Sequence, residues 1–263
     1  MNLKEICKDA NDLATEVGNF IKSEVRNIRN ADIKEKGLHD YVTYVDKTSE
    51  EKLITGLKEV IPEAGFIAEE NPLLTTSDNY NWIIDPLDGT TNFIHAIPVF
   101  AISIALMHRN EIILGIVYEI NSKELFYSWK DGGVYLNSNA IRVSSSKKLD
   151  DSLIATGFPF HDFSRLDPYL NILTYFINNT RGLRRLGSAA VDLAYVACGR
   201  FDGFFEYGLK PWDVAAGSFL VQQAGGKVTD FKGKENFIFN NEILAANITI
   251  YNEMFEHIKK YFC

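Results

Sequence analysis

Between Phe100 and Val143 the chain repeats one pattern, an apolar run closed by a short group of turn-forming residues. The closures are Arg109-Asn110, Asn121-Ser122, Asp131-Gly132-Gly133 and Asn137-Ser138-Asn139. Such groups between apolar runs are hairpin chemistry, so the stretch predicts an antiparallel meander. Ahead of it, Leu3, Ile6, Cys7, Ala10, Leu13, Ala14, Val17, Phe20 and Ile21 recur at three- and four-residue spacing, the stripe of one amphipathic helix. A polar stretch from Arg29 to Asp40 separates it from a second helix, which begins near Asp46 and ends at Pro62, since proline disfavours helix in the residue before it.

After about Ser144 the texture changes. Strand-like runs (Leu153 to Thr156, Leu183 to Leu186, Gly203 to Phe205, Lys227 to Thr229, Ile243 to Ala246) alternate with helical ones (Pro168 to Asn178, Ala189 to Ala197, Asp213 to Ala224, Ile250 to Phe262). A helix pair with a meander over 1–143, then alternating α/β over 144–263, predicts an α+β fold of stacked helix and sheet layers. No Pro/Ser linker and no repeat divides the chain. The two stretches are therefore expected to be subdomains of one 1–263 domain sharing one cleft.

A formal net charge of −8 argues against unaided binding to nucleic acid or to an anionic membrane, both of which need a basic face. An anionic substrate is compatible with it only where a cation or local donors reverse the field. Cys7, Cys198 and Cys263 are scattered and form no CxxC pair, which suits a reducing cytoplasm. No signal peptide and no membrane span is read, so the protein is expected in the cytoplasm. His39, His95, His108, His161 and His257 show no zinc spacing.

The chemistry concentrates in Asp85-Pro86-Leu87-Asp88-Gly89-Thr90-Thr91-Asn92. Trp82-Ile83-Ile84 reads as a buried strand ending on Asp85, and Gly65 to Ala68 as a shorter one delivering Glu69 and Glu70. Pro86 fixes φ and lacks an N–H, so the chain leaves the strand in a defined turn. Two carboxylates three residues apart, with the Leu87 carbonyl between them, can converge as oxygen donors for a hard cation such as Mg2+. Gly89 to Asn92 then supply backbone N–H groups at a helix start, suited to phosphate. A strand, an Asp-Gly turn and a Thr/Asn helix cap would account for the same residues without function.

This string resembles the signature of the inositol monophosphatase family, Mg2+-dependent and lithium-sensitive sugar phosphatases. Asp40-Tyr41-Val42-Thr43-Tyr44-Val45-Asp46 and Ala68-Glu69-Glu70 are similar to the family's segments ahead of it. Gly187-Ser188-Ala189-Ala190 and Pro211-Trp212-Asp213-Val214-Ala215-Ala216-Gly217 are similar to those behind it. The resemblance implies a layered αβαβα sandwich, shared with fructose-1,6-bisphosphatase, and a homodimer. It implies one Mg2+ on Glu69, Asp85 and the Leu87 carbonyl, and a second on Asp85, Asp88 and Asp213. A third, weaker ion would sit on Glu69. Carboxylates about 4 Å apart repel by roughly 4 kcal/mol at an effective dielectric of 20, so four of them need cations or protons.

By the same resemblance Thr90 orients an attacking water, Glu69 accepts its proton and Asp46 supports the threonine. Substrate contacts on the phosphate side fall on Glu69, Leu87, Asp88, Gly89, Thr90 and Thr91. The alcohol half falls on Asp88, Gly187, Ser188, Ala189, Glu206 and Asp213, where carboxylates suit hydroxyl donors. Each acid has a structural alternative: Asp46 and Asp213 as helix N-caps, Glu69 and Glu206 as exposed strand-end acids. Arg184-Arg185 reads first as a solvated basic pair, with contact to substrate or a neighbouring subunit as the alternative.

The function implied is hydrolysis of inositol-1-phosphate or another small sugar or polyol phosphate. Thr91 stands where the 3′-phosphoadenosine phosphatases usually carry lysine, which favours the inositol branch. Fructose-1,6-bisphosphatase and histidinol-phosphatase activities share the metal site and stay open. So does a non-catalytic regulatory protein on this fold, since some bacterial relatives are thought to act through RNA-processing machinery.

Overall fold

The computed structural model describes residues 1–28, 32–37, 40–71, 73–159 and 162–262. His39, His161, Cys263 and part of the polar stretch Arg29 to Asp40 lie outside them. The first helix, α1 (Leu3–Glu24), buries Ile6, Cys7, Ala10, Ala14, Val17 and Ile21, the stripe its spacing predicts. Where the sequence predicts only a polar stretch, β1 (Lys34–Gly37) pairs antiparallel with β2 (Asp40–Val42). Strands this short and polar carry too little alternation to be read.

The second helix, α2 (Tyr44–Val60), starts two residues earlier than its sequence suggests. Its N-cap is Thr43, not Asp46. The Thr43 hydroxyl accepts the Val45 N–H at 3.1 Å, and the Thr43 N–H donates to Asp46 Oδ2 at 2.8 Å, a reciprocal cap.

Next come β3 (Gly65–Ala68), β4 (Tyr80–Asp88), the one-turn helix α3 (Thr90–Ile94), β5 (Ala101–His108) and β6 (Glu111–Glu119). β7 (Glu124–Trp129), β8 (Val134–Leu136) and β9 (Asn139–Ala140) follow. The seven strands form one sheet in sequential order, antiparallel throughout except for the parallel pair β3–β4. Asn137 and Ser138, between β8 and β9, both take positive φ, the twist-matched geometry of a two-residue hairpin turn. The meander is as the turn residues predict.

The rest of the chain supplies β10 (Leu153–Thr156), α4 (Leu166–Asn179), β11 (Gly182–Arg184), α5 (Ala189–Ala197) and β12 (Gly203–Tyr207). It ends with α6 (Pro211–Gln223), β13 (Gly226–Thr229), β14 (Glu242–Asn247) and α7 (Ile248–Phe262). These strands form a five-stranded mixed sheet ordered β11-β10-β12-β14-β13.

Three apolar clusters separate five layers. One lies between α1/α2 and the seven-stranded sheet and includes Val45, Leu53, Trp82 and Ile104. Another surrounds α5 and α6 between the sheets, joining Ile83 and Ala105 to Phe204 and Ala245. The third lies under α4 and α7, with Tyr169, Phe176, Phe205 and Met254. α6 buries every residue from Val214 to Val221, because it has a sheet on each side. This is the αβαβα layering the sequence implies. No described helix is long and apolar enough to cross a membrane.

Candidate active site

The C-terminal end of β4 sets the site. The strand does not stop at Asp85, as its apolar run suggests, but continues to Asp88 through an irregular register against β5. Pro86 is tolerated there because β3 pairs only as far as Ile84, leaving no ladder bond for the missing N–H. Asp85, 2% exposed, bridges the proline with its own side chain: Oδ1 accepts the Leu87 N–H at 2.8 Å. Gly89 then turns the chain at φ 96°, where an added Cβ would stand 3.0 Å from the Val99 carbonyl. Only glycine makes that turn without strain.

The turn delivers Thr90 at the start of α3. Its hydroxyl lies 3.0 Å from Asp46 Oδ1 and 3.0 Å from the Leu87 carbonyl oxygen. Asp46 is 1% exposed, and its other oxygen takes both the N–H and the hydroxyl of Thr43. Burial raises the Asp46 pKa, while hydrogen bonds from Thr43 and Thr90 oppose the rise. Asp46 is therefore not the N-cap that its sequence context allowed: it closes the Thr43 cap from the third helical position with one oxygen and holds Thr90 with the other.

Asp88 faces the other half of the chain. Its Oδ2 accepts from the Ser188 hydroxyl at 2.7 Å and from the Ala190 N–H at 2.7 Å, at the N-terminus of α5. Burial pushes its pKa up to about 6 against these bonds. Asn92 clamps the same junction, with Nδ2 2.8 Å from both the Val99 and Leu186 carbonyls. Asp213 occupies the third position of α6, where Oδ2 accepts the Lys210 N–H at 2.7 Å. Ser103 of β5 ties that helix start down by donating to the Trp212 carbonyl at 2.9 Å.

Glu206 is not an exposed strand-end acid. It sits inside β12, buried, and Gly157 leaves room for its carboxylate, because any Cβ there would collide with it. Arg185 is not simply solvated either: it lines the cleft, lies 5.4 Å over the Phe158 ring and lowers the carboxyl pKa values of Asp88, Asp192 and Glu206. Arg184 stays exposed and bonds the Leu183 carbonyl.

One residue escapes sequence reasoning. Asp192, one turn into α5, is 1% exposed, lines the cleft and has no hydrogen-bond partner for Oδ1 among the described residues. Burial first, then Glu206 and Asp88, holds its carboxyl well above the usual range. The available signal was an acid set among Ala-Ala-Val and Leu-Ala-Tyr, inside an otherwise apolar helix.

These groups line one cleft of about 710 Å3, which takes in Glu69, Asp88, Gly89, Thr90, Thr91, Gly187, Ser188, Ala189, Asp192, Glu206 and Asp213. Asp85 is buried and not among the lining residues, with Glu69, Asp88 and Asp213 close enough to act on its charge. Burial and those neighbours drive its pKa well up, as burial and Asp88 do for Asp213. Asp85, Asp88 and Asp213 each commit one oxygen to a protein donor, and the other is bonded to no described residue. Among the described residues, no group of three or more Asp, Glu, His or Cys side chains is placed to hold a metal ion without further ligands. Mg2+ does not require one, since it keeps several waters and takes one or two carboxylates. An all-oxygen set with one fixed and one open oxygen per carboxylate fits such a hard cation.

The whole chain, residues 2–262, matches the sequence profile of the inositol monophosphatase family. The chain belongs to the inositol monophosphatase family. It is 41% identical over 247 residues to the Nus factor SuhB of Escherichia coli K12, covering 94% of this chain and 92% of that one. Its structure superposes on the extragenic suppressor protein suhB of Bartonella henselae with a TM-score of 0.90 at 37% identity, covering 99% of each chain. For the inositol monophosphatase of Anabaena the TM-score is 0.88 at 35% identity, covering 99% of this chain and 98% of that one. Members of one family thus carry both kinds of name.

Proposed function

We propose that this chain is a Mg2+-dependent phosphatase that hydrolyses a small sugar or polyol phosphate monoester, inositol-1-phosphate first among them. The observation that carries the proposal is the Thr90 hydroxyl, bonded to buried Asp46 and to the Leu87 carbonyl at the edge of a carboxylate-lined cleft. With its proton given to Asp46, the oxygen keeps lone pairs that can accept from a water and aim it at phosphorus. Glu69, on the same cleft, takes the proton that water loses. Glu69, Asp85, the Leu87 carbonyl, Asp88 and Asp213 would hold Mg2+, which supplies the positive charge that lets a phosphate approach so many acids and makes water easier to ionise. Leu87 to Thr91 receive the phosphate. Glu206, Asp213, Asp88 and the Gly187-Ser188-Ala189 backbone receive the alcohol, whose hydroxyls donate to the carboxylates.

Phosphate release from a panel of monoesters, with and without Mg2+, tests the reading. Turnover of inositol-1-phosphate that needs Mg2+ and falls on adding Li+ supports it. A preference for fructose-1,6-bisphosphate, histidinol phosphate or 3′-phosphoadenosine 5′-phosphate moves the chain to another branch of the fold. A homodimer is proposed with it, and sedimentation at the mass of one chain would overturn that. The name of the Escherichia coli relative supports a second reading, a binding or regulatory protein on the same fold. Absence of turnover on every monoester would favour it.

A further inference from the structure

Glu50 lies one helical turn after Asp46 on α2, so the two side chains leave the same face of the helix. Both are buried, Asp46 at 1% and Glu50 at 3% exposure. Asp46 reaches the Thr90 hydroxyl, and Glu50 Oε2 accepts the Glu70 N–H at 2.8 Å. That N–H stands just beyond the last β3–β4 pair, Ala68 with Ile84, where the parallel ladder no longer supplies an acceptor. A carboxylate on a backbone N–H is a strong, directional bond. It fixes the bend through which the chain leaves β3 and carries Glu69 into the cleft.

From these contacts we propose that Glu50 is a positioning residue that sets Glu69 against Thr90. α2 then works as a rigid spacer. Its two acids, about 6 Å apart along the axis, pin the two ends of the catalytic constellation that come from different strands. Glu50 is not among the residues that line the cleft. It acts through the Glu70 N–H, and its effect is read in how well the acidic end of the cleft is preorganised for a cation. The inference rests on the phosphatase reading for its catalytic consequence, not for its cation-binding consequence.

The test is a Mg2+ titration by calorimetry of the unaltered chain, Glu50→Ala, Glu50→Asp and Glu50→Gln, alongside melting curves and steady-state kinetics. Glu50→Ala is expected to weaken Mg2+ binding about tenfold and to lower kcat more than it raises KM. Glu50→Asp keeps the charge but is one methylene short, and is expected to behave like the alanine variant. Should Glu50→Ala fail to fold, Glu50→Asp carries the same reading. Glu50→Gln keeps an acceptor oxygen at the same reach and is expected to restore Mg2+ binding to within about threefold. Unchanged Mg2+ affinity in folded Glu50→Ala or Glu50→Asp overturns the inference, as does a glutamine variant as impaired as the alanine one. If the unaltered chain binds Mg2+ but turns over no monoester, the phosphatase reading fails while the positioning test still reads out. If it binds no Mg2+, both fall.

Discussion

Thr90 has one hydroxyl proton and two oxygen acceptors at equal distance, one of them a buried carboxylate. Such a group orients a neighbour; it is not itself a strong acid or base. Thr90→Ala is therefore predicted to lower kcat about 100-fold with little change in KM, and Thr90→Ser to recover most of it. Equal losses in both variants would show that the methyl group, not the hydroxyl, matters. Asp192 poses the opposite case, an acid with no partner for Oδ1 among the described residues, whose ionised form the fold disfavours. Asparagine keeps the shape and cannot ionise. Asp192→Asn is predicted to raise the melting temperature of the cation-free protein near pH 8, by about 2–4 °C for each kcal/mol gained. A lower melting temperature would mean the carboxylate is favourably held.

The elements show what the sequence could and could not reveal. The bulged end of β4 and the left-handed turn at Gly89 together aim Asp85, Asp88 and Thr90. Gly89→Ala is predicted to cost about 1–2 kcal/mol in denaturant unfolding and to remove activity with it, since the Cβ meets the Val99 carbonyl. Full activity would mean the turn relaxes without consequence. Turn residues and helical stripes announced the meander, α1 and α5 through local chemistry alone. The β1–β2 hairpin was too short and too polar to announce itself, and Thr43 took the cap that Asp46 also fitted. Likewise, Glu206 read as a strand-end acid because the strand's continuation through Tyr207 depends on pairing with β14, a partner distant in sequence. Contacts such as Asp88 with Ser188, a hundred residues apart, leave no local signal at all.

For the whole molecule, the consequence of gathering acids between two sheets is electrostatic. The carboxyl pKa of Asp88 is raised to about 6, and those of Asp192 and Glu206 are also raised, all chiefly by burial. A raised folded-state pKa means that the folded chain binds more protons than the unfolded one. The stabilisation is full below the unfolded carboxylate range near pH 4 and is lost as pH rises through the folded values. Without divalent cations the melting temperature is predicted to fall between about pH 5 and pH 8, and Mg2+ to restore it at the upper end. A cation-free protein that gains stability over that range would contradict this balance.

Asp85 joins all these scales, since it closes the β4 turn, is buried and feels the charges of three other acids. The most direct measurement is therefore phosphate release from inositol-1-phosphate across a Mg2+ titration, comparing the unaltered chain with Asp85→Asn. Mg2+-dependent release that drops by about three orders of magnitude in a variant that melts no lower is the predicted result. Near-normal turnover by Asp85→Asn would contradict it.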